Sequence, residues 1–140
     1  MKKIFTLGLG ILMLASCSSD DGGSSVKSSQ LTNKKWYYNK YIFNGVTSTD
    51  VHENIECGKD YSIFKENGVL EDAYYMTNCE LYVDENLWTL DGKKLLITSE
   101  DGVLTFTISK LTASTLEVTT KVDFDLDGKI DTMKMVFTSN

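Results

Sequence analysis

The densest chemistry in the chain lies near its C-terminal end. Asp123-Phe124-Asp125-Leu126-Asp127-Gly128-Lys129-Ile130-Asp131 has the form D-x-D-x-D-G-x-x-D. Calcium takes about six to eight oxygen ligands. Asp123, Asp125 and Asp127, the backbone carbonyl of Lys129 and the closing Asp131 can wrap one such ion, and Gly128 permits the sharp turn this needs. The alternative is a solvated two-residue turn at Asp127-Gly128. That register pairs Val122 with Met133 and Val118 with Phe137, and sets Phe124 opposite Asp131. On a core face it would bury Asp131 without a partner, at a cost of several kcal/mol or a protonation. A bound cation removes that cost and the repulsion among four carboxylates, and its role would be structural, pinning the last hairpin.

Other reactive residues are sparse. His52 is the single histidine, in the polar run Asp50-Val51-His52-Glu53. One His removes most His-based catalytic and zinc constellations, and His52 reads as a surface residue. No Gly-x-Ser-x-Gly pattern is present. The acid pairs Glu71-Asp72 and Asp84-Glu85 read as solvated surface. These observations argue against an enzyme. The chain also has 14 Lys, no Arg and a net charge of −6. A phosphate backbone needs a basic stripe, so nucleic acid is excluded as a partner.

The N-terminal segment reads as an address. Met1-Lys2-Lys3 precedes an apolar run from Ile4 to Ala15, too short for the roughly 20 residues of a bilayer span and right for a secretory signal. Leu14-Ala15-Ser16-Cys17 resembles the lipobox of bacterial lipoproteins. That resemblance implies cleavage after residue 16 and lipidation of Cys17, with several acyl chains as a membrane anchor. The Ser/Gly-rich segment 17–30 reads as a flexible tether. Its Asp20-Asp21 resembles the surface-export signal of Bacteroidetes lipoproteins, which implies an outer-membrane lipoprotein facing the cell surface. The mature chain would carry 12 Lys against 20 acids, a net charge of −8. Cys57 and Cys79 then remain. An even pair in an exported chain reads as a disulfide; a redox pair or metal ligands are the alternatives, and no Cys-x-x-Cys is present.

The elements that position these groups are strands. From Leu31 onward the pattern is alternation, aromatics and Gly-marked turns, with no Pro anywhere. Eight strands are predicted: 35–43, 61–65, 69–75, 86–90, 93–98, 103–110, and two more between about 115 and 138, with 44–60 a polar connection. Leu104, Phe106 and Ile108 form one inward row. Leu116, Val118, Val122, Phe124 and Leu126 form a second, and Met133, Met135 and Phe137 a third. Strand one carries aromatics on both faces, so one set must point outward or into a mouth. Eight antiparallel strands close into a barrel or fold into two sheets.

Trp36, Phe64 before Asn67-Gly68, Leu87-Trp88-Thr89-Leu90-Asp91-Gly92 before Leu95-Leu96-Ile97, and Ile108-Ser109-Lys110-Leu111-Thr112 before Leu116 resemble the lipocalin-like domain of small Bacteroidetes lipoproteins. The resemblance runs from about Leu31 to Phe137. It implies an all-β, small eight-stranded antiparallel up-and-down barrel over 31–140, after a signal peptide at 1–16 and a lipidated Cys and linker at 17–30. The expected function is binding of a small apolar or amphipathic ligand by a monomer, with Trp36, Tyr38, Trp88 and Phe106 as candidate contacts. The rival is an inhibitor or immunity-type lipoprotein that meets a protein partner. A cavity of about 300 Å³ or more would favour the ligand.

Overall fold

The computed structural model describes residues 26–139. The expected signal peptide, Cys17 and most of the tether lie outside the described residues. A single 3₁₀ turn, Ser28–Gln30, precedes the strands β1 (Lys35–Phe43), β2 (Val46–Ser48), β3 (Tyr61–Phe64), β4 (Val69–Tyr75), β5 (Leu81–Asp91), β6 (Lys94–Ser99), β7 (Gly102–Leu111), β8 (Thr115–Val122) and β9 (Asp131–Thr138). All neighbours are antiparallel. β9 returns to pair with β1, so β1 and β3 through β9 form a closed eight-stranded barrel. The β1–β9 pairing closes the sheet on itself, and only the short β2 keeps a free edge among the described strands.

β2 was not expected from the sequence. It is a short flap on β1, with Phe43 opposite Val46. The turn between them is Asn44-Gly45, both at positive φ (47° and 86°), which suits the right-handed twist of a hairpin. The other departure in element extent is β5. It begins at Leu81, five residues before the expected start, and pairs along the whole of β4.

The inner face follows the period of two, with register shifts at Asn39 in β1 and at Ser109 in β7, of which the first decides how the aromatics face. Between Tyr38 and Lys40, β1 slips its register against β9, so Asn39 forms a β-bulge. One extra residue inverts the side-chain parity beyond it. Trp36 and Tyr38 face inward before the bulge. After it Tyr41 pairs with Met135 and Phe43 with Met133 on that same inner side. The aromatics that seemed to occupy both faces of strand one are thus mostly on one, with Tyr37 left outside against Tyr61.

The core fills one end of the barrel. Leu31, Trp36, Phe64, Leu70, Trp88, Leu95, Phe106, Ile108, Leu116, Val118 and Phe137 form a single buried cluster. Trp36 is wholly buried, and its Nε1–H donates to the Leu31 carbonyl at 2.9 Å. The Trp88 Nε1–H donates to the Lys65 carbonyl at 3.0 Å, and its ring meets Phe64 edge to face at 5.3 Å. Both indole donors therefore find backbone acceptors, as buried tryptophans require. Leu31 and Val26 bring the entering chain against this same end, and an isolated bridge between Thr32 and Phe64 fixes it there.

Candidate ligand cavity

The inner rows do not fill the barrel to its other end. A cavity of about 200 Å³ remains, walled by apolar side chains from six strands, including Phe64, Leu70, Leu95, Phe106, Val118 and Phe137. Leu104 reaches the same wall and is 41% exposed, which marks the wall as open to solvent on that side. Two recesses of about 270 and 580 Å³ lie beyond it. All three share Tyr38, so they are adjoining spaces at one mouth.

Loop 49–60 borders that mouth through Val51, His52, Glu53 and Asp60. Its position is set by several contacts. The Asn54 amide donates to the Tyr75 carbonyl at 2.5 Å, and Asp60 Oδ1 accepts the Tyr75 N–H at 3.0 Å. The side chain of His52 is only 10% exposed, contrary to its reading as a surface residue. Its Nδ1 accepts the Asp60 N–H at 3.1 Å. A disulfide joins Cys57 to Cys79 in the β4–β5 turn, with the Cα atoms 5.1 Å apart. The expected pairing is therefore present, and it ties the loop to the barrel rim. Gly58 lies close under Tyr75: a Cβ there would stand 2.4 Å from the ring.

One charged side chain lies in the cavity wall. Asp72 pairs with Ser62 across β3–β4 and shares the inner row with Leu70. The Ser62 hydroxyl donates to Asp72 Oδ1 at 2.5 Å and the Tyr38 hydroxyl to the same oxygen at 3.3 Å. The Asn86 amide reaches Oδ2 at 3.5 Å. Burial pushes the Asp72 carboxyl above the usual carboxylate range, Asp84 on the facing strand adds to this, and the three hydrogen bonds oppose it. Burial, with Asp72 beside it, holds the Tyr38 hydroxyl far above its ordinary range, so it stays a donor. The acid pair Glu71-Asp72 thus divides between the two faces: Glu71 pairs with Lys65, while Asp72 is inside. Strict alternation from Leu70 already places Asp72 inward; its charge argued for the surface, and the charge was the misleading signal.

The acidic loop lies at the same end of the barrel. β8 and β9 pair with Val122 opposite Asp131, so the connection is an eight-residue loop, 123–130, and not a two-residue turn at Asp127-Gly128. One carboxylate oxygen from each of Asp123, Asp125 and Asp131 lies within 4.8 Å of the others. Asp127 stands apart: its Oδ2 accepts from Lys129 Nζ at 2.6 Å, and this contact lowers its pKa. Asp131 is not left without a partner. It accepts from the Asn44 amide at 2.6 Å and from the Phe124 N–H at 3.1 Å. Phe124 and Leu126, expected inside, are 41% and 85% exposed, because the barrel ends at Val122.

The family model described as "Lipocalin-like domain" matches residues 30–118. The chain belongs to the lipocalin-like domain family. Solved structures carry the same fold. A lipocalin-like protein from Bacteroides uniformis is 16% identical with a TM-score of 0.58, over 79% of this chain and 99% of that one. An apocrustacyanin C1 is 12% identical with a TM-score of 0.54, over 80% of this chain and 62% of that one. An odorant-binding protein, OBP1, is 12% identical with a TM-score of 0.50, over 81% and 74%. No curated protein matches the chain in sequence. In this lipocalin-like barrel, two of the four candidate contacts, Tyr38 and Phe106, line the cavity. Trp36 and Trp88 belong to the packed end instead, and neither borders the cavity.

Proposed function

We propose that this lipocalin-like chain is a non-enzymatic binding module that holds a small apolar or amphipathic ligand in its barrel. The observation that carries this reading is the apolar-walled cavity of about 200 Å³, which shares Tyr38 with two adjoining recesses bordered by loop 49–60. This cavity alone is smaller than the usual range for drug-sized ligands, so the ligand is short or extends into the recesses. Isothermal titration with 1-hexanol and 1-octanol tests it. Saturable binding in the micromolar range with a negative heat-capacity change is expected. No saturable heat up to millimolar alcohol would sink the reading.

Two parts of the proposal concern its setting. The chain is read as an outer-membrane lipoprotein anchored at Cys17 and displayed on the cell surface, a reading supported by the lipobox-like Leu14-Ala15-Ser16-Cys17. Cys17→Ala should release the protein from membranes; retention in the membrane fraction refutes the anchor. Loop 123–131 is read as a structural calcium site, supported by the convergence of Asp123, Asp125 and Asp131. Millimolar calcium should then raise the melting temperature, and the claim falls if neither heat nor a thermal shift is seen.

A second reading, docking of a protein partner, is favoured by exposed apolar side chains on the outer face, with Leu87 and Val103 each 58% exposed. Loss of ligand binding in Leu87→Glu would count against treating that face as separate from the cavity.

A further inference from the structure

The inner chamber of a purely apolar binder has no use for a carboxylate, yet Asp72 borders both the chamber and the recess above it. Taking a charge out of water costs several kcal/mol unless a counter-charge or good hydrogen bonds offset it. None of the ion pairs among the described residues includes Asp72. Its two hydroxyl hydrogen bonds, a short one from Ser62 and a longer one from Tyr38 at 3.3 Å, converge on Oδ1. Oδ2 has only the Asn86 amide, at the 3.5 Å limit of a hydrogen bond. An ionised carboxylate offers about four acceptor positions, so Oδ2 retains capacity. The acids around it, Asp84 opposite on β5 and Asp60 in the recess, add negative charge.

We infer that the cavity selects small amphipathic amines, with the alkyl or aryl tail in the apolar chamber and the ammonium group at Asp72. This rests on the ligand-binding reading above and names the class of ligand. The chemistry is one-sided. Tyr38 and Ser62 spend their hydroxyl hydrogens on Asp72, so this part of the wall presents acceptors. A donor with positive charge satisfies Oδ2 and cancels the buried charge together. A fatty-acid carboxylate would meet like charge at the same point, and an alcohol would supply one neutral hydrogen bond. Burial first, and then the charge of Asp84, raise the pKa of Asp72; an ammonium group beside it would oppose both. The chamber also limits size. At about 30 Å³ per methylene-sized group, near the volume share of a water molecule, about 200 Å³ holds a tail of six or seven heavy atoms.

The test is a matched series at one chain length: 1-aminohexane, 1-hexanol and hexanoate, titrated calorimetrically at pH 7.5. The amine should bind at least tenfold more tightly than the alcohol, and hexanoate most weakly. In Asp72→Asn the amine and alcohol affinities should converge. Alcohol binding equal to amine binding in the wild-type protein overturns the amine preference while leaving a ligand-binding barrel. An amine preference that persists in Asp72→Asn overturns the assignment of Asp72. Absence of binding by all three overturns both this inference and the reading beneath it. The wild-type series decides even if Asp72→Asn does not fold.

Discussion

Removing the Cys57–Cys79 disulfide gives the clearest quantitative test of how the mouth is held. The bridge closes 22 residues. In the chain-entropy account, a loop of that length restricts the unfolded chain by about 3 kcal/mol. The double variant Cys57→Ser/Cys79→Ser should lose about that much. The native fold should survive, because the other anchors of loop 49–60 stay in place: Asn54 to the Tyr75 carbonyl, the Tyr75 N–H to Asp60, and the Asp60 N–H to His52. Each contributes roughly 0.5–1.5 kcal/mol net. For a domain near 110 residues, about 3 kcal/mol corresponds to a fall in melting temperature of roughly 10–15 °C. Urea unfolding followed by the fluorescence of buried Trp36 and Trp88 measures the loss directly. The slope of free energy against urea should also rise, since a chain without the cross-link exposes more surface when unfolded. A variant within 1 kcal/mol of the wild type, with an unchanged slope, would refute this account of the bridge.

Two further outcomes are expected. Trp36→Phe leaves the Leu31 carbonyl at the packed end without its indole donor, so thermal unfolding should show a loss of about 1–3 kcal/mol beyond the effect of altered packing; an unchanged melting temperature contradicts it. Asp72→Asn should make the protein more stable at pH 7 and have little effect near pH 3. Burial raises the folded-state pKa of Asp72, so its contribution to stability is fully present below the unfolded value of about 3.9 and is lost as pH rises through the folded value. A variant no more stable than the wild type at pH 7 would show that Asp72 does not carry that penalty.

Much of the barrel was legible because period-two alternation survives wherever strands are regular. The bounds of β1 and β4, the hairpin at Asn67-Gly68 and the disulfide all follow from residue type and spacing. What escaped has local causes. The Asn39 bulge inverts parity without any sequence mark, so Tyr41 and Phe43 could not be assigned to the mouth. β2 did have a signal, Asn44-Gly45 at the end of strand one, but a three-residue partner, Val46–Ser48, offers almost no alternation to read. The acidic run was legible as a loop; its length was not. Extending the hairpin to Asp127-Gly128 keeps the same face inward as the true register, because the two differ by an even number of residues. Of the four aromatic candidates, Tyr38 and Phe106 reach the cavity while Trp36 and Trp88 do not, since a row that faces inward does not reveal which end of the barrel is packed solid.

That last distinction organises the molecule. The entering chain at Val26, the indole of Trp36, and Trp88 hydrogen-bonded to Lys65 all occupy one end. There both indole donors have backbone partners, and neither indole lines the barrel cavity. At the other end stand the Asn44-Gly45 turn, the disulfide-held loop and the acidic loop, the first and last joined by Asn44 to Asp131. Asp72 and Tyr38 lie just inside that rim. A closed barrel can carry the cost of an uncompensated carboxylate in one place because its stability is concentrated in another. Substitutions at the packed end should therefore move unfolding without changing ligand preference, whereas Asp72 should move both, and by opposite signs at neutral pH.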